Sequence, residues 1–258
     1  MKVAILAGGL GSRLAEETEL KPKPMVEIGG LPILWHIMKH YAHFGFKEFW
    51  IALGYRGEVV KRFFMDYHSL NGSISIDLRS GHVDRHERAC EDWVVHLQNT
   101  GQDTNTGGRI KLLESHLNDG TFMITYGDGV CDVNLHDLLE FHRAHGRIGT
   151  ITAVRPPARF GGLIFDGDGM VVDFTEKPQI GEGWINGGFM VCEPKIFDYL
   201  KDDDSSFEAD ALEQLASECQ LAAYQHAGFW QCMDTLRDKR LLENLWQDGR
   251  APWKLWNP

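Results

Sequence analysis

The sequence predicts an α/β protein built on a mixed, mainly parallel sheet flanked by helices. Three observations carry this. Strand-like and helix-like patterns alternate from the first residues onward, which is the grammar of a parallel sheet. The first apolar run, Val3-Ala4-Ile5-Leu6, has no polar alternation, as expected of a strand covered on both faces. That run leads straight into Gly8-Gly9-Leu10-Gly11-Ser12-Arg13, and open α/β sheets bind ligands in loops at the carboxyl ends of their strands.

The elements follow in order. Pro32 to Gly45 reads as a helix, with proline allowed in the first turn and glycine placed to end it. Ile33, Leu34, Ile37, Met38 and Tyr41 keep its apolar stripe. Glu48 to Leu53 is a second strand, Gly54 breaks it, and Glu58 to Tyr67 is a second helix. Residues 72–99 read as an excursion from the sheet: two alternating strands around Ile74-Ile76-Leu78 and Trp93-Val95-Leu97, joined by a charged loop. His82, His86 and His96 there read as surface or interface residues rather than metal ligands. Thr104 to Arg109 is a polar turn ahead of a helical stripe at Ile110, Leu113 and Leu117. Thr121 to Tyr126 is a strand that ends in Gly127-Asp128-Gly129, Asn134 to His145 a helix, and Thr150 to Val154 a strand. Leu163 to Phe165 and Val171 to Phe174 form a hairpin-like pair. Helical turns follow at Phe197–Leu200 and Ala209–Leu215, and a late helix at Thr235–Trp246. The aromatic tail with Trp253 and Trp256 is expected to pack on the body or on a neighbouring subunit. No linker or repeat divides the chain, so residues 1–258 read as one domain. The stretch at about 72–99 is its inserted lid or oligomerisation piece, and about 235–258 its helical and aromatic tail.

Composition narrows the function. A formal net charge of -11 argues against non-specific nucleic-acid binding and against an anionic membrane surface. No apolar run approaches the roughly twenty residues of a membrane helix. Five cysteines without a Cys-x-x-Cys pair argue against a disulfide framework or zinc knuckle and suit a reducing cytoplasm.

The glycine-rich loop points to a phosphate. Backbone N–H groups of the Gly8, Gly9, Gly11 and Ser12 loop, which follows Leu6 and Ala7, can turn around an anion, and Arg13 adds a planar fork of donors; a glycine-rich turn with a surface arginine is the other reading. The glycine spacing fits neither the dinucleotide fingerprint nor the Walker loop. Lys23 stands between Pro22 and Pro24, whose rigid rings can aim it at a phosphate. Thr106, Gly107 and Arg109 can present donors where a helix begins, with a plain helix start as the competing reading. Asp128, flanked by glycines at a strand end, is a candidate Mg²⁺ ligand, since Mg²⁺ takes one or two protein carboxylates and leaves its other positions to water and phosphate. Asp234 is the best second carboxylate; its other reading is a helix cap, a job for which Thr235 competes.

Taken together, these pieces resemble the sugar-nucleotide pyrophosphorylases, a nucleotidyltransferase family. Leu6 to Leu14, Lys21-Pro22-Lys23-Pro24-Met25, Tyr126-Gly127-Asp128-Gly129, Glu176-Lys177-Pro178 and Ile185-Asn186-Gly187-Gly188 occur in that family's order over nearly the whole chain. Finer matches, among them Thr106-Gly107-Gly108-Arg109 and Met233 to Lys239, resemble the members that use CTP and glucose 1-phosphate. Ser12 stands where the wider family often has threonine. The resemblance implies a Rossmann-like, nucleotide-diphospho-sugar transferase fold and Mg²⁺-dependent in-line transfer of a cytidylyl group to α-D-glucose 1-phosphate. It implies product use in dideoxysugar synthesis, a bacterial cytoplasm and a homo-oligomer, with a hexamer expected. It gives the leaving pyrophosphate to Arg13, the α-phosphate to Lys23, the ion to Asp128 and Asp234, the sugar phosphate to Lys177, and the hexose to Asn186 and Gly187. Arg109 is the candidate reader of the base. The rival readings are a uridylyl- or thymidylyltransferase and a non-catalytic homologue.

Overall fold

The computed structural model describes residues 1–9, 11, 14–70, 73–86, 90–156, 162–165, 170–175 and 183–256. The chain opens with β1 (Lys2–Ala7), α1 (Ala15–Thr18), a 3-10 turn at Lys23–Met25, the small ladder β2 (Glu27–Ile28) and β3 (Leu31–Pro32), and α2 (Ile33–His43). Next come β4 (Glu48–Leu53), α3 (Gly57–Leu70), β5 (Ser73–Asp77), β6 (His82–His86) and β7 (Val94–Asn99). The middle holds α4 (Thr106–Lys111), α5 (Glu114–Leu117), β8 (Phe122–Tyr126), β9 (Gly129–Cys131), α6 (Leu135–His145) and β10 (Gly149–Val154). Then follow β11 (Gly162–Phe165), β12 (Val171–Thr175), β13 (Ile185–Asn186), β14 (Met190–Cys192), α7 (Glu213–Ser217), β15 (Leu221–His226), β16 (Trp230–Cys232) and α8 (Leu236–Gln247).

β1 lies inside the main sheet. It pairs in parallel with β4 on one side and β8 on the other, and β7 extends the parallel run past β4. Beyond β8 the sheet turns mixed: β14 is antiparallel to β8, β10 antiparallel to β14, and β15 parallel to β10. The two faces of β1 divide the core. Val3, Ile5 and Ala7 pack with the α2 layer, whereas Ala4 and Leu6 pack with Ile110, Leu113 and Leu117. A strand buried on both faces needs this unbroken apolar run.

The excursion differs from its sequence reading. β5 and β6 form an antiparallel hairpin outside the main sheet, but β7 belongs to the sheet itself, in parallel register with β4. Alternation marked β7 as half-exposed, which an edge strand is. Periodicity could not say which sheet it joins. The strand β15 and the ribbon of β9 with β16 were not foreseen either, because their short runs mix polar with apolar residues. The helical turn expected at Ala209–Leu215 is a π-helical stretch, Phe207–Leu212, running into α7. The aromatic tail packs on the body: Trp253 is fully buried and stacks on Phe229 and Trp246, and Trp256 meets Trp35 edge-on.

α2 is buried along most of its length, and two histidines are buried with it. His36 Nε2 donates to the Ile28 carbonyl at 2.8 Å, and Trp253 Nε1 donates to His36 Nδ1 at 3.4 Å. This arrangement suits a neutral ring; a proton on Nδ1 would face another N–H. Burial lowers His36 to about 4, and His40 likewise to about 4. The unfolded chain takes these protons near 6.5, so between the two values it binds more protons than the fold does. Stability should be complete above about pH 6.5 and fall as pH drops toward 4, by roughly 1 kcal/mol per pH unit from each ring. Thermal melts from neutral to acidic pH check this. His36→Gln, which can keep a donor toward Ile28, should flatten the slope, and an unchanged slope would contradict the assignment.

Candidate functional site

The site forms where parallel strands end. β1 and β8 run side by side, and Gly127 after β8 donates its N–H to the Leu6 carbonyl at 2.9 Å. A Cβ on Gly127 would stand 2.9 Å from both that oxygen and Pro24 Cγ, so only glycine lets the strand end come so close. Asp128 is thereby set over the end of β1.

Asp234 arrives from the other end of the sequence. β16 pairs with β9, and Met233 N–H donates to the Asp128 carbonyl at 2.8 Å, which brings the two aspartates side by side. Thr235 takes the N-cap of α8 in a capping box with Asp238, leaving the Asp234 carboxylate for the cleft. Lys23 stands between them. Its Nζ donates to Asp128 Oδ2 at 2.6 Å and also to Asp234 Oδ1. Burial pulls the ammonium down, but the two carboxylates outweigh this and hold it above its ordinary value. Lys23 is therefore a fixed cation at neutral pH and not a base.

These groups open on a cleft of about 390 Å³. Leu6, Ala7, Gly8, Gly9, Gly11, Lys23, Thr106, Arg109, Asp128 and Asp234 all line it. Thr104, Asn105, Pro24, Tyr126 and Gly127 line it too, without having been singled out in the sequence as ligand contacts. Gly11 adopts a φ of +64°, which favours glycine, and a Cβ there would crowd Lys23 Cβ at 3.1 Å.

Arg109 lines the cleft from beneath the glycine loop. It is only 5% exposed. Nη1 donates to the Gly101 carbonyl at 2.7 Å, Thr100 Oγ1 at 2.8 Å and the Leu53 carbonyl at 3.3 Å; Nη2 donates to the carbonyls of Gln102 at 3.1 Å and Gly8 at 3.2 Å. A Cβ on Gly8 would stand 2.3 Å from the guanidinium carbon, so loop and arginine are stacked in contact. The arginine ties the loop after β1 to the loops after β4 and β7.

Gly107 faces away from the cleft. A Cβ there would meet the Ser205 carbonyl at 2.7 Å and Phe207 N at 2.9 Å, so this glycine serves packing of the 203–207 segment. Asn186 and Gly187 lie by the Tyr126 side: Asn186 Nδ2 donates to Tyr126 Oη at 3.5 Å, and Trp230 Nε1 donates to the Gly187 carbonyl at 2.7 Å. Glu208 had no sequence signal, yet it accepts from Tyr126 Oη and from Thr106 Oγ1, each at 2.6 Å. Ser12, Arg13 and Lys177 lie outside the described residues.

The donor set suits a hard divalent cation. Two carboxylates contact one nitrogen, so their oxygens can converge on one ion, and oxygen-only ligation by one or two carboxylates is what Mg²⁺ prefers. The trio of two carboxylates and one ammonium keeps one net negative charge, which draws such an ion. The glycine loop alongside offers backbone to phosphate.

The nucleotidyl transferase family profile matches residues 2–248. The glucose-1-phosphate cytidylyltransferase of Salmonella typhi is 48% identical over 257 residues, covering 99% of this chain and 100% of that one. The mannose-1-phosphate guanylyltransferase catalytic subunit beta of Dictyostelium discoideum is 32% identical over 250 residues, covering 95% of this chain and 64% of that one. Among solved structures, HddC from Yersinia pseudotuberculosis superposes with a TM-score of 0.68 at 24% identity, covering 95% of this chain and 99% of that chain, and shares the fold. The chain belongs to the nucleotidyl transferase family.

Proposed function

We propose that the protein transfers a cytidylyl group from CTP to α-D-glucose 1-phosphate, releasing pyrophosphate and forming CDP-glucose. The observation that carries this is the convergence of Lys23, Asp128 and Asp234 on the glycine loop, in a chain 48% identical along its length to a relative named for that activity. A phosphate oxygen of the sugar phosphate attacks the α-phosphorus of CTP as the bond to pyrophosphate breaks. The nucleophile is already an anion, so no serine or histidine need activate it. The protein's task is positioning and charge neutralisation.

Asp128 and Asp234 would hold Mg²⁺, which when bound supplies positive charge to the triphosphate. Lys23, displaced from its carboxylates, serves the α-phosphate. Arg13 is assigned to the leaving pyrophosphate, Lys177 to the sugar phosphate, and Asn186 with Gly187 to the hexose, as the family resemblance implies. Cytosine carries an exocyclic amino donor and needs an acceptor. The carbonyls of Leu6, Gly8 and Gly11 already accept, from the Gly127 N–H, from Arg109 with the Tyr55 N–H, and from the Leu14 N–H with Thr18 Oγ1, so another carbonyl of the Leu6–Gly11 backbone is assigned to it. A wrong base leaves that acceptor unpaired, at about 1–3 kcal/mol. Self-association, expected as a hexamer, is supported by the β5–β6 hairpin and the residue after β5, where Leu78 stands 90% exposed; light scattering decides it, and a monomer would remove it from the proposal.

The deciding assay is purified protein with Mg²⁺, pyrophosphatase and glucose 1-phosphate, run separately with CTP, UTP, dTTP, ATP and GTP. CTP should give the highest kcat/KM, by roughly 10-fold or more. An equal or higher value with UTP or dTTP would replace the cytidylyl reading with the corresponding one.

A further inference from the structure

The ribbon of β9 and β16 has two chemically distinct ends. Its register sets Cys232 against Gly129 and Trp230 against Cys131. Beyond the first pair lie Asp128 and Asp234. Beyond the second lie Asp132 on one strand and Phe229, Gly228 and His226 on the other, joined by the Asp132 N–H to Phe229 carbonyl bond at 3.2 Å.

At this second end three donor types converge. His226 Nε2 lies 2.7 Å from Asp132 Oδ1, and one donor atom each of Cys131, Asp132 and His226 lies within 4.8 Å of the others. Cys131 is 1% exposed, and the His226 and Asp132 side chains are 13% and 26% exposed, so the cluster is sheltered but reachable. Gly228 leaves the space open: a Cβ there would stand 2.5 Å from Asp132 Oδ1 and 2.8 Å from His226 Nε2. A second, independent feature lies on α2, which packs against β9. His40 is 2% exposed, has no side-chain hydrogen-bond partner, lies against the Val133 backbone, and feels the charges of Asp132 and His226. A buried imidazole with at most one backbone partner leaves a ring nitrogen unpaired, a costly arrangement for a side chain that only packs.

We propose that Cys131, Asp132 and His226 bind a thiophilic divalent cation of the Zn²⁺ class, with the remaining position open to water or to His40. The donor set selects the metal. Sulfur with nitrogen suits Zn²⁺ and not Mg²⁺, which belongs with the oxygen-only pair at the other end of the ribbon. Metal–donor bonds of about 2.0–2.3 Å place tetrahedral ligands roughly 3.3–3.8 Å apart, so the cluster closes by about 1 Å and the His226–Asp132 bond opens slightly. Binding replaces the Cys131 thiol proton, which leaves to solvent. The consequence is mechanical: the ion pins the ribbon whose other end carries Asp128 and Asp234.

The test uses the metal-free full chain titrated with Co²⁺. One equivalent should bring a sulfur-to-cobalt charge-transfer band and intense tetrahedral d–d bands. Zn²⁺ should displace it and excess Mg²⁺ should not. Cys131→Ser should lose the charge-transfer band, and His226→Gln should weaken Co²⁺ binding about 10-fold or more. Cys232→Ser should keep the band, although Cys232 Sγ lies 3.8 Å from Asp234 Oδ2. If Cys131→Ser does not fold, His226→Gln with Cys232→Ser still decides. Absence of the band in the native chain overturns the proposal. So does a band lost in Cys232→Ser, which would put the metal in the cleft, and so does Co²⁺ affinity unchanged in His226→Gln.

Discussion

Lys23→Ala should lower kcat by roughly 10²–10³ while raising the affinity of the substrate-free protein for Mn²⁺, used as a reporter for Mg²⁺. The two effects have one cause. The Lys23 ammonium bridges Asp128 and Asp234, so a divalent cation entering between those carboxylates must displace it. Without the lysine, two neighbouring carboxylates repel each other and welcome any cation more strongly. In the reaction the same charge is then missing where negative charge grows on the α-phosphate, so the loss should fall on kcat and not on KM alone. Because the carboxylates hold the ammonium above its ordinary value in the substrate-free protein, kcat/KM should show no lysine titration near neutral pH. Electron paramagnetic resonance of Mn²⁺ with steady-state kinetics reads both effects. Normal kcat with unchanged Mn²⁺ affinity would remove Lys23 from its assigned place.

Arg109→Ala should be the most damaging substitution for the fold of the cleft, at about 3 kcal/mol or more of stability. The guanidinium bonds join the carbonyls of Gly8, Leu53, Gly101 and Gln102; alanine cuts that tie and takes this donor from Gly101 and Gln102, while Gly8 keeps the Tyr55 N–H and Leu53 keeps the Thr100 N–H and hydroxyl. Activity should fall for CTP and UTP by the same factor, because what is lost is the shape of the loop. The sequence reading of Arg109 as the base reader expects the ratio between the two nucleotides to change. Chemical denaturation and the two values of kcat/KM, measured on Arg109→Ala and Arg109→Lys, separate the two roles. A changed ratio with undiminished stability would return Arg109 to the base.

Much of this protein was legible because its signals are local. The apolar run of β1, the proline entry to α2 and the glycine after β8 act within a few residues of themselves, where propensity and turn chemistry decide conformation. The glycines around Asp128 and the prolines around Lys23 are visible for the same reason. What was missed has long-range causes. β15 is a strand because β10 offers it an edge, and Glu208 joins Tyr126 to Thr106 across the fold. Gly107 and Arg109 looked like ligand donors beside a helix start; their actual partners come from segments that sequence spacing does not reveal.

The sequence by itself determined the α/β class, the family and the identity of the charged residues, since residue type and order are enough for those. Only the tertiary structure decided which charges meet. Asp128 and Asp234 are neighbours because the β9–β16 ribbon pairs two stretches about a hundred residues apart, and Lys23 joins them because Gly127 lets Pro24 approach. Carboxylates become a cation site through separations of a few ångströms, and those are set by strand pairing and close packing, not by the chain's local grammar.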